Sequence, residues 1–167
     1  MANFKDSMKL LTFLEHSNRN DKLLHYNVGE NGYTFYGIYE VAHPNWEGWR
    51  IIKRYLLIEP DVKKCSAILS NNIELDLMVQ KFYKKEFWDK SKLDLVDSQR
   101  KSNMIFCFAV NAGVKTANKK LQEALGFDKE NIDGIVGNFT IKHLNDVDES
   151  LFVESFKQEQ KKYYIKF

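Results

Sequence analysis

One stretch of the chain, from Met104 to Gly113, is apolar nearly all round and constrains the fold more than any other feature. It reads MIFCFAVNAG, with the amide of Asn111 as its one strongly polar side chain. A helix without a polar face is buried on every side, so 104–112 is predicted to be the most buried helix of the domain. Asn111 is expected to be buried there and hydrogen-bonded, because a buried amide needs partners, and Gly113 is expected to end the helix.

The rest of the chain predicts amphipathic helices around this one and a single small β element. The mixture of β-prone residues with Asn and Gly in 23–38 predicts a short, irregular hairpin after a polar loop at 18–21. Further helices are expected from Phe4 to Glu15, after Pro44, at 61–69, after an Asn71 or Asn72 cap, and at 115–125. Two more are expected at 138–144, with Asn138 as its cap, and at 149–163, with Leu151 in the core. The fold class is therefore mainly α (α+β), and the chain's length suits one domain over 1–167.

Composition and motifs exclude several classes of function. The 167 residues carry a net charge of only +2, which predicts no nucleic-acid partner. No HExxH, CxxC or phosphate-binding loop occurs, so neither a metal nor a cofactor is expected. The first residues, MANFKDSMK, resemble no signal peptide, and no run is long enough to span a membrane. We expect a monomer made in the cytoplasm.

Glu15 is the carboxylate that the helical pattern singles out. It follows Phe4, Met8 and Leu11 at spacings of four, three and four residues, which places all four on one helix face. Two interpretations stay open: Glu15 extends the buried face, where desolvation favours the protonated carboxyl, or it is a surface residue at the helix end. A protonated carboxyl beside an aromatic-lined groove is what glycoside hydrolysis requires.

Five separated motifs resemble those of the glycoside hydrolase family 108 N-acetylmuramidases, which are lysozyme-like enzymes of phages and bacteria. In chain order these motifs are Leu14-Glu15, Thr34-x-Tyr36-Gly37-Ile38, the segment FYKKEFWD at 82–89, Val110-Asn111-Ala112-Gly113, and LQEALG at 121–126 with DGIVGNFT at 133–140. The chain departs from the family where His16-Ser17 replaces a Gly-Gly pair. The resemblance implies a lysozyme-like helical domain with a small β-hairpin beside the active-site cleft, and a peptidoglycan-binding-like part at about 115–145.

The same resemblance implies roles for individual residues. Glu15 corresponds to the general acid, and the second carboxylate is expected at Glu30, with Asp21 as the alternative. Thr34 resembles the threonine that helps to position water in related sites. Tyr36 and Asn111 are expected to bind substrate.

The implied function is hydrolysis of the β-1,4 bond between N-acetylmuramic acid and N-acetylglucosamine in peptidoglycan. The resemblance suggests a phage or prophage endolysin that reaches the periplasmic peptidoglycan after release by a holin-type partner. The partner molecule would be the glycan strand. The alternative is a non-catalytic peptidoglycan-binding or phage structural module that keeps the same fold.

Overall fold

The computed structural model describes residues 1–16 and 19–166 of the chain, so Ser17 and the start of the predicted polar loop, Asn18, lie outside the described residues. The described part is mainly helical with one small antiparallel sheet, as predicted. Its helices are α1 (Phe4–His16), α2 (Gly48–Ile58), α3 (Val62–Leu69), α4 (Ile73–Tyr83), α5 (Gln99–Ala112), α6 (Val114–Ala124), α7 (Asn138–Asp146) and α8 (Glu149–Ile165). Its strands are β1 (Leu24–Asn27), β2 (Gly32–Phe35) and β3 (Ile38–Tyr39). None of the described helices is long and apolar enough to span a membrane.

The chain divides into two compact units, and α5 is the core of the first, which comprises Met1–Leu11 and the chain from Tyr83 onward. Six of the 14 residues of α5 are buried, more than in any other described helix, and four of them lie in the run 104–112, which confirms the prediction. The helix begins earlier than the apolar run, at Gln99. Phe106 lies with its ring centroid 5.7 Å from that of Trp88, which is fully buried. Gly113 ends the helix with a φ of +88°, as expected.

Three details of the first unit correct the expectations. Asn111 is exposed because it lies in the last turn of α5, beyond the buried residues. Asn138 is the first residue of α7 and does not cap it, since Gly137 takes the cap position and no side chain bonds there. Leu151, expected in the core, is 67% exposed. The segment at about 115–145 lies wholly within this unit.

The second unit, Thr12–Phe82, contains the sheet. The strands are antiparallel in the order β1-β2-β3, and His25 lies opposite Thr34 in the register. Leu24, Phe35 and Ile38 are each 1% exposed, so one face of the sheet is buried. Residues alternate between the two faces of a strand, and His25 and Thr34 therefore share the opposite face. The predicted hairpin is confirmed, with a short third strand added.

Candidate active site

The last turn of α1 carries Glu15 and His16, and a short turn then leads to the sheet. The backbone N–H of Arg19 donates to the carbonyl oxygen of His16 at 2.8 Å, and the N–H of Lys22 donates to that of Arg19 at 3.0 Å. Residues Asn20–Lys22 form one turn of 3₁₀ helix. Arg19 immediately precedes this turn and Lys22 is its last residue, and both line the same cavity.

Ser66, a buried residue of α3, holds this turn in place. Its hydroxyl donates to the carbonyl oxygen of Asn20 at 2.6 Å and accepts from the backbone N–H of Leu24 at 3.0 Å. One side chain therefore holds both the first residue of the turn and the first residue of β1. Both bonds tie the site to α3, within the same unit.

The opposite wall of the site is the turn between β2 and β3, which consists of Tyr36 and Gly37. Both have positive φ angles, +49° and +78°, as the tight hairpin turns of the primed class require. The left-handed region is unusual for a bulky residue such as Tyr36. The Tyr36 ring meets the His16 ring edge to face, with centroids 4.9 Å apart, so this turn braces the end of α1.

These elements enclose a cavity of about 460 Å³ within the second unit. It is lined by Glu15, His16, Arg19, Lys22, His25 and Gly37. Among these lining residues Glu15 carries the one carboxylate, and the other charged or titratable side chains are basic. An exposed carboxyl group at a helix end, facing an open cavity, is accessible to a substrate.

Burial shapes the ionisation of two groups around the cavity. The pKa of His16 is lowered by burial, with a smaller lowering contribution from His25 and an opposing one from Glu15. The pKa of the Tyr36 hydroxyl is raised by burial and, to a smaller extent, by the Asp76 carboxylate. Both shifts favour the neutral forms of these rings, since desolvation disfavours a charge.

The structure resolves the two interpretations of Glu15 in favour of the surface position. Burial on α1 ends at Leu11, and Glu15 is exposed in the final turn. Leu14, from the same turn, is 57% exposed. The apolar face is therefore continuous in the sequence, but the neighbours that cover it end before the last turn, and Glu15 lies outside the buried part of the helix.

The two candidates for the second carboxylate occupy different parts of the second unit. Glu30 is exposed in the loop between β1 and β2, where its backbone carbonyl accepts from the Tyr39 hydroxyl at 3.1 Å. Asp21 is exposed and lines a neighbouring cavity of about 530 Å³. Neither carboxylate lines the Glu15 cavity.

Thr34 and Asn111 have contrasting positions. Thr34 is 9% exposed, and its hydroxyl oxygen accepts from the side-chain amide of Asn27 at 2.8 Å. It lies opposite His25, which lines the Glu15 cavity. Asn111 belongs to the first unit and is exposed.

The basic residues of the site were missed by the sequence analysis. His16, Arg19, Lys22 and His25 recur at every third position, and this regular spacing is the signal that could have drawn attention to them. The 3₁₀ turn itself covers Asn20–Lys22, while His16 ends α1 and His25 lies in β1. Over the described ranges, no group of three or more His, Cys, Asp or Glu residues is placed to hold a metal ion.

Comparison with known families gives a match over part of the chain. The family model described as Glycosyl hydrolase 108 matches residues 25–113, just over half of the 167 residues. The matched range begins at His25 and so includes the β2–β3 turn and α5, whereas Glu15 precedes it. No curated protein matches the chain.

Proposed function

The chain belongs to glycosyl hydrolase family 108 and is a glycosidase, and from this premise we propose that it is an N-acetylmuramidase that degrades peptidoglycan. The bond cleaved is the β-1,4 linkage between N-acetylmuramic acid and N-acetylglucosamine. Glu15 acts as the general acid that protonates the leaving glycosidic oxygen.

The observation that carries this proposal is the cavity between the end of α1 and the turn of the family-matched hairpin. Glu15 reaches this cavity from one side and Gly37 lines it from the other. A glycan strand is a chain of bulky polar rings, so its cleavage requires a carboxyl group at an open surface. The exposed position of Glu15 at a helix end gives the strand access to its carboxyl group.

The remaining roles follow the family resemblance. Thr34 helps to position the attacking water, in keeping with its place on the sheet face that it shares with His25. Tyr36 supports substrate binding through the turn that it forms, and the resemblance assigns Asn111 as a further substrate-binding residue. The second carboxylate, which must act on the same glycosidic bond as Glu15, is assigned to Glu30 or Asp21.

The biological setting that we propose is lysis of a bacterial host by a phage or prophage endolysin. In that setting the enzyme acts on the peptidoglycan layer, and a holin-type partner gives it access. The domain acts as a monomer and uses acid catalysis by carboxyl groups, without a cofactor.

Analysis of digestion products tests the proposed reaction. Purified sacculi are digested with the protein, the new reducing ends are reduced with borohydride, and the fragments are identified by mass spectrometry. Fragments that end in reduced N-acetylmuramic acid are expected. Fragments that end in reduced N-acetylglucosamine, or in a 1,6-anhydro ring, would assign a different bond or reaction. Binding to sacculi without any fragments would favour the non-catalytic module.

A further inference from the structure

We propose that Arg19, Lys22 and Lys63 form a basic rim that binds carboxylate groups of the substrate beside Glu15. This inference rests on the proposed function, because it states which chemical group of the substrate, a carboxylate, is recognised at the same site. The ligand is a glycan strand that carries carboxylates, and the rim distinguishes it from an uncharged glycan.

The first observation is that two cavities adjoin along the surface of the second unit. The cavity of Glu15 and the neighbouring cavity of about 530 Å³ share Lys22 and His25 as lining residues. Arg19 lines the first and Lys63 lines the second. All these residues belong to Thr12–Phe82, so both cavities lie within one unit, and the adjoining pair is called the cleft.

The second observation is the charge of this cleft. Its walls contain three permanent cations, against the carboxylates of Glu15 and Asp21. The three rim cations make no ion pair with any described residue, whereas nine ion pairs elsewhere in the described chain engage other basic residues. Cations that lack partners and line a concave surface attract anions, because low-dielectric walls focus the field.

The third observation is that the backbone which presents the rim is held in place. Arg19 and Lys22 are joined by a hydrogen bond of the 3₁₀ turn, and Ser66 fixes the carbonyl of Asn20 between them. A preorganised backbone lowers the entropic cost of binding. The planar guanidinium of Arg19 can also bind a carboxylate through two parallel hydrogen bonds, which adds geometric specificity.

Peptidoglycan offers carboxylates next to its scissile bond in two places. One is the lactyl group of muramic acid, which lacks a free carboxylate where a peptide is attached, and the other is the peptide stem itself. Both present the same chemistry to a basic rim. Glycans made only of N-acetylglucosamine have neither group.

The test compares one double variant on two forms of one substrate. Arg19→Gln/Lys22→Gln and the wild type digest purified sacculi, either untreated or with their carboxylates amidated by carbodiimide and ammonia. Amidation should lower kcat/KM of the wild type about 10-fold or more, the effect of one charged hydrogen bond. On untreated sacculi, kcat/KM of the double variant should be as low as that of the wild type on amidated sacculi, and amidation should lower it little further. The reduction should come from a higher KM and not from a lower kcat.

A matched control removes the same charge from the same unit outside the cleft. Arg50 and Lys81 are exposed and line neither cavity, so Arg50→Gln/Lys81→Gln should remain as sensitive to amidation as the wild type. Equal sensitivity of the rim variant and this control would overturn the proposal. Circular dichroism of both variants checks that they are folded.

Two further arms identify which carboxylate is bound and distinguish failure of the rim proposal from failure of the muramidase proposal. Strands stripped of peptide by an amidase keep the lactyl carboxylate, so persistent sensitivity to amidation identifies that group, and its loss identifies the stem. Cosedimentation with untreated and amidated sacculi measures binding by the rim independently of catalytic turnover. Weaker binding to amidated sacculi, abolished in the rim variant, would support the rim even if no fragments form. Equal binding to both forms would refute the rim while leaving muramidase activity to the product analysis.

Discussion

Removal of the Ser66 hydroxyl should destabilise the segment that carries the basic residues of the site. Ser66 is fully buried, and Leu24, whose N–H it accepts, is 1% exposed. In Ser66→Ala the N–H of Leu24 loses its hydrogen-bond acceptor at a position that water does not reach. The carbonyl of Asn20 belongs to an exposed residue and can bind water instead. An unsatisfied buried donor costs about 1–3 kcal/mol. A central value of about 2 kcal/mol corresponds to a Tm lower by about 4–8 °C for a chain of this size.

Thermal unfolding followed by circular dichroism measures this change. The matched control is Ser70→Ala, one turn further along, because Ser70 bonds the Ala67 carbonyl at an exposed position. We expect the control to stay within about 0.5 kcal/mol of the wild type. At temperatures where both are folded, Ser66→Ala should show a raised KM, since Arg19 and Lys22 lose their fixed backbone. Equal Tm values for the two variants would refute the role given to Ser66.

Further predictions concern protonation, the hairpin turn and the second carboxylate. Burial lowers the pKa of His16, so the folded state binds a proton at this ring less readily than the unfolded chain does. The stability that the neutral His16 ring contributes is therefore complete above about pH 6.5 and is lost as the pH falls below that value. Urea unfolding at about pH 5 and 7 should show a smaller loss for His16→Gln than for the wild type. Gly37→Ala, at a φ of +78°, should lose about 1–2 kcal/mol in the same assay, and Gly29→Ala, with open space around it, much less. Of Glu30→Gln and Asp21→Asn, the variant that strongly slows lysis of sacculi while remaining folded identifies the second carboxylate; wild-type rates in both would refute both assignments.

The sequence predicted the elements of the fold well where burial is nearly complete. The run at 104–112 has no polar face, so its central position follows from the hydrophobic effect alone. Asn72 was one of two candidates for the cap of α4, and its side chain does accept the N–H of Leu75 at 2.8 Å. Such local signals depend on residues close in sequence, and they need no knowledge of the neighbours.

The site was harder to predict because it depends on where neighbouring elements end. Periodicity correctly grouped Glu15 with Met8 and Leu11, but it cannot tell how far along the helix the covering residues extend. The register that sets His25 opposite Thr34 is decided by strand pairing, which composition does not reveal. The basic residues between α1 and β1 converge because one 3₁₀ turn and one buried serine shape that segment.

The activity of Glu15→Gln tests the central claim most directly. Glutamine keeps the shape of the side chain but cannot donate the proton, so the rate of peptidoglycan cleavage per folded molecule should fall about 10²–10⁴-fold. Because Glu15 is exposed, the Tm of the Glu15→Gln variant should stay close to that of the wild type. Glu74→Gln, an exposed glutamate of α4 outside the cavity, should keep the wild-type rate. A folded Glu15→Gln protein that lyses sacculi as fast as Glu74→Gln would contradict the assignment of the general acid.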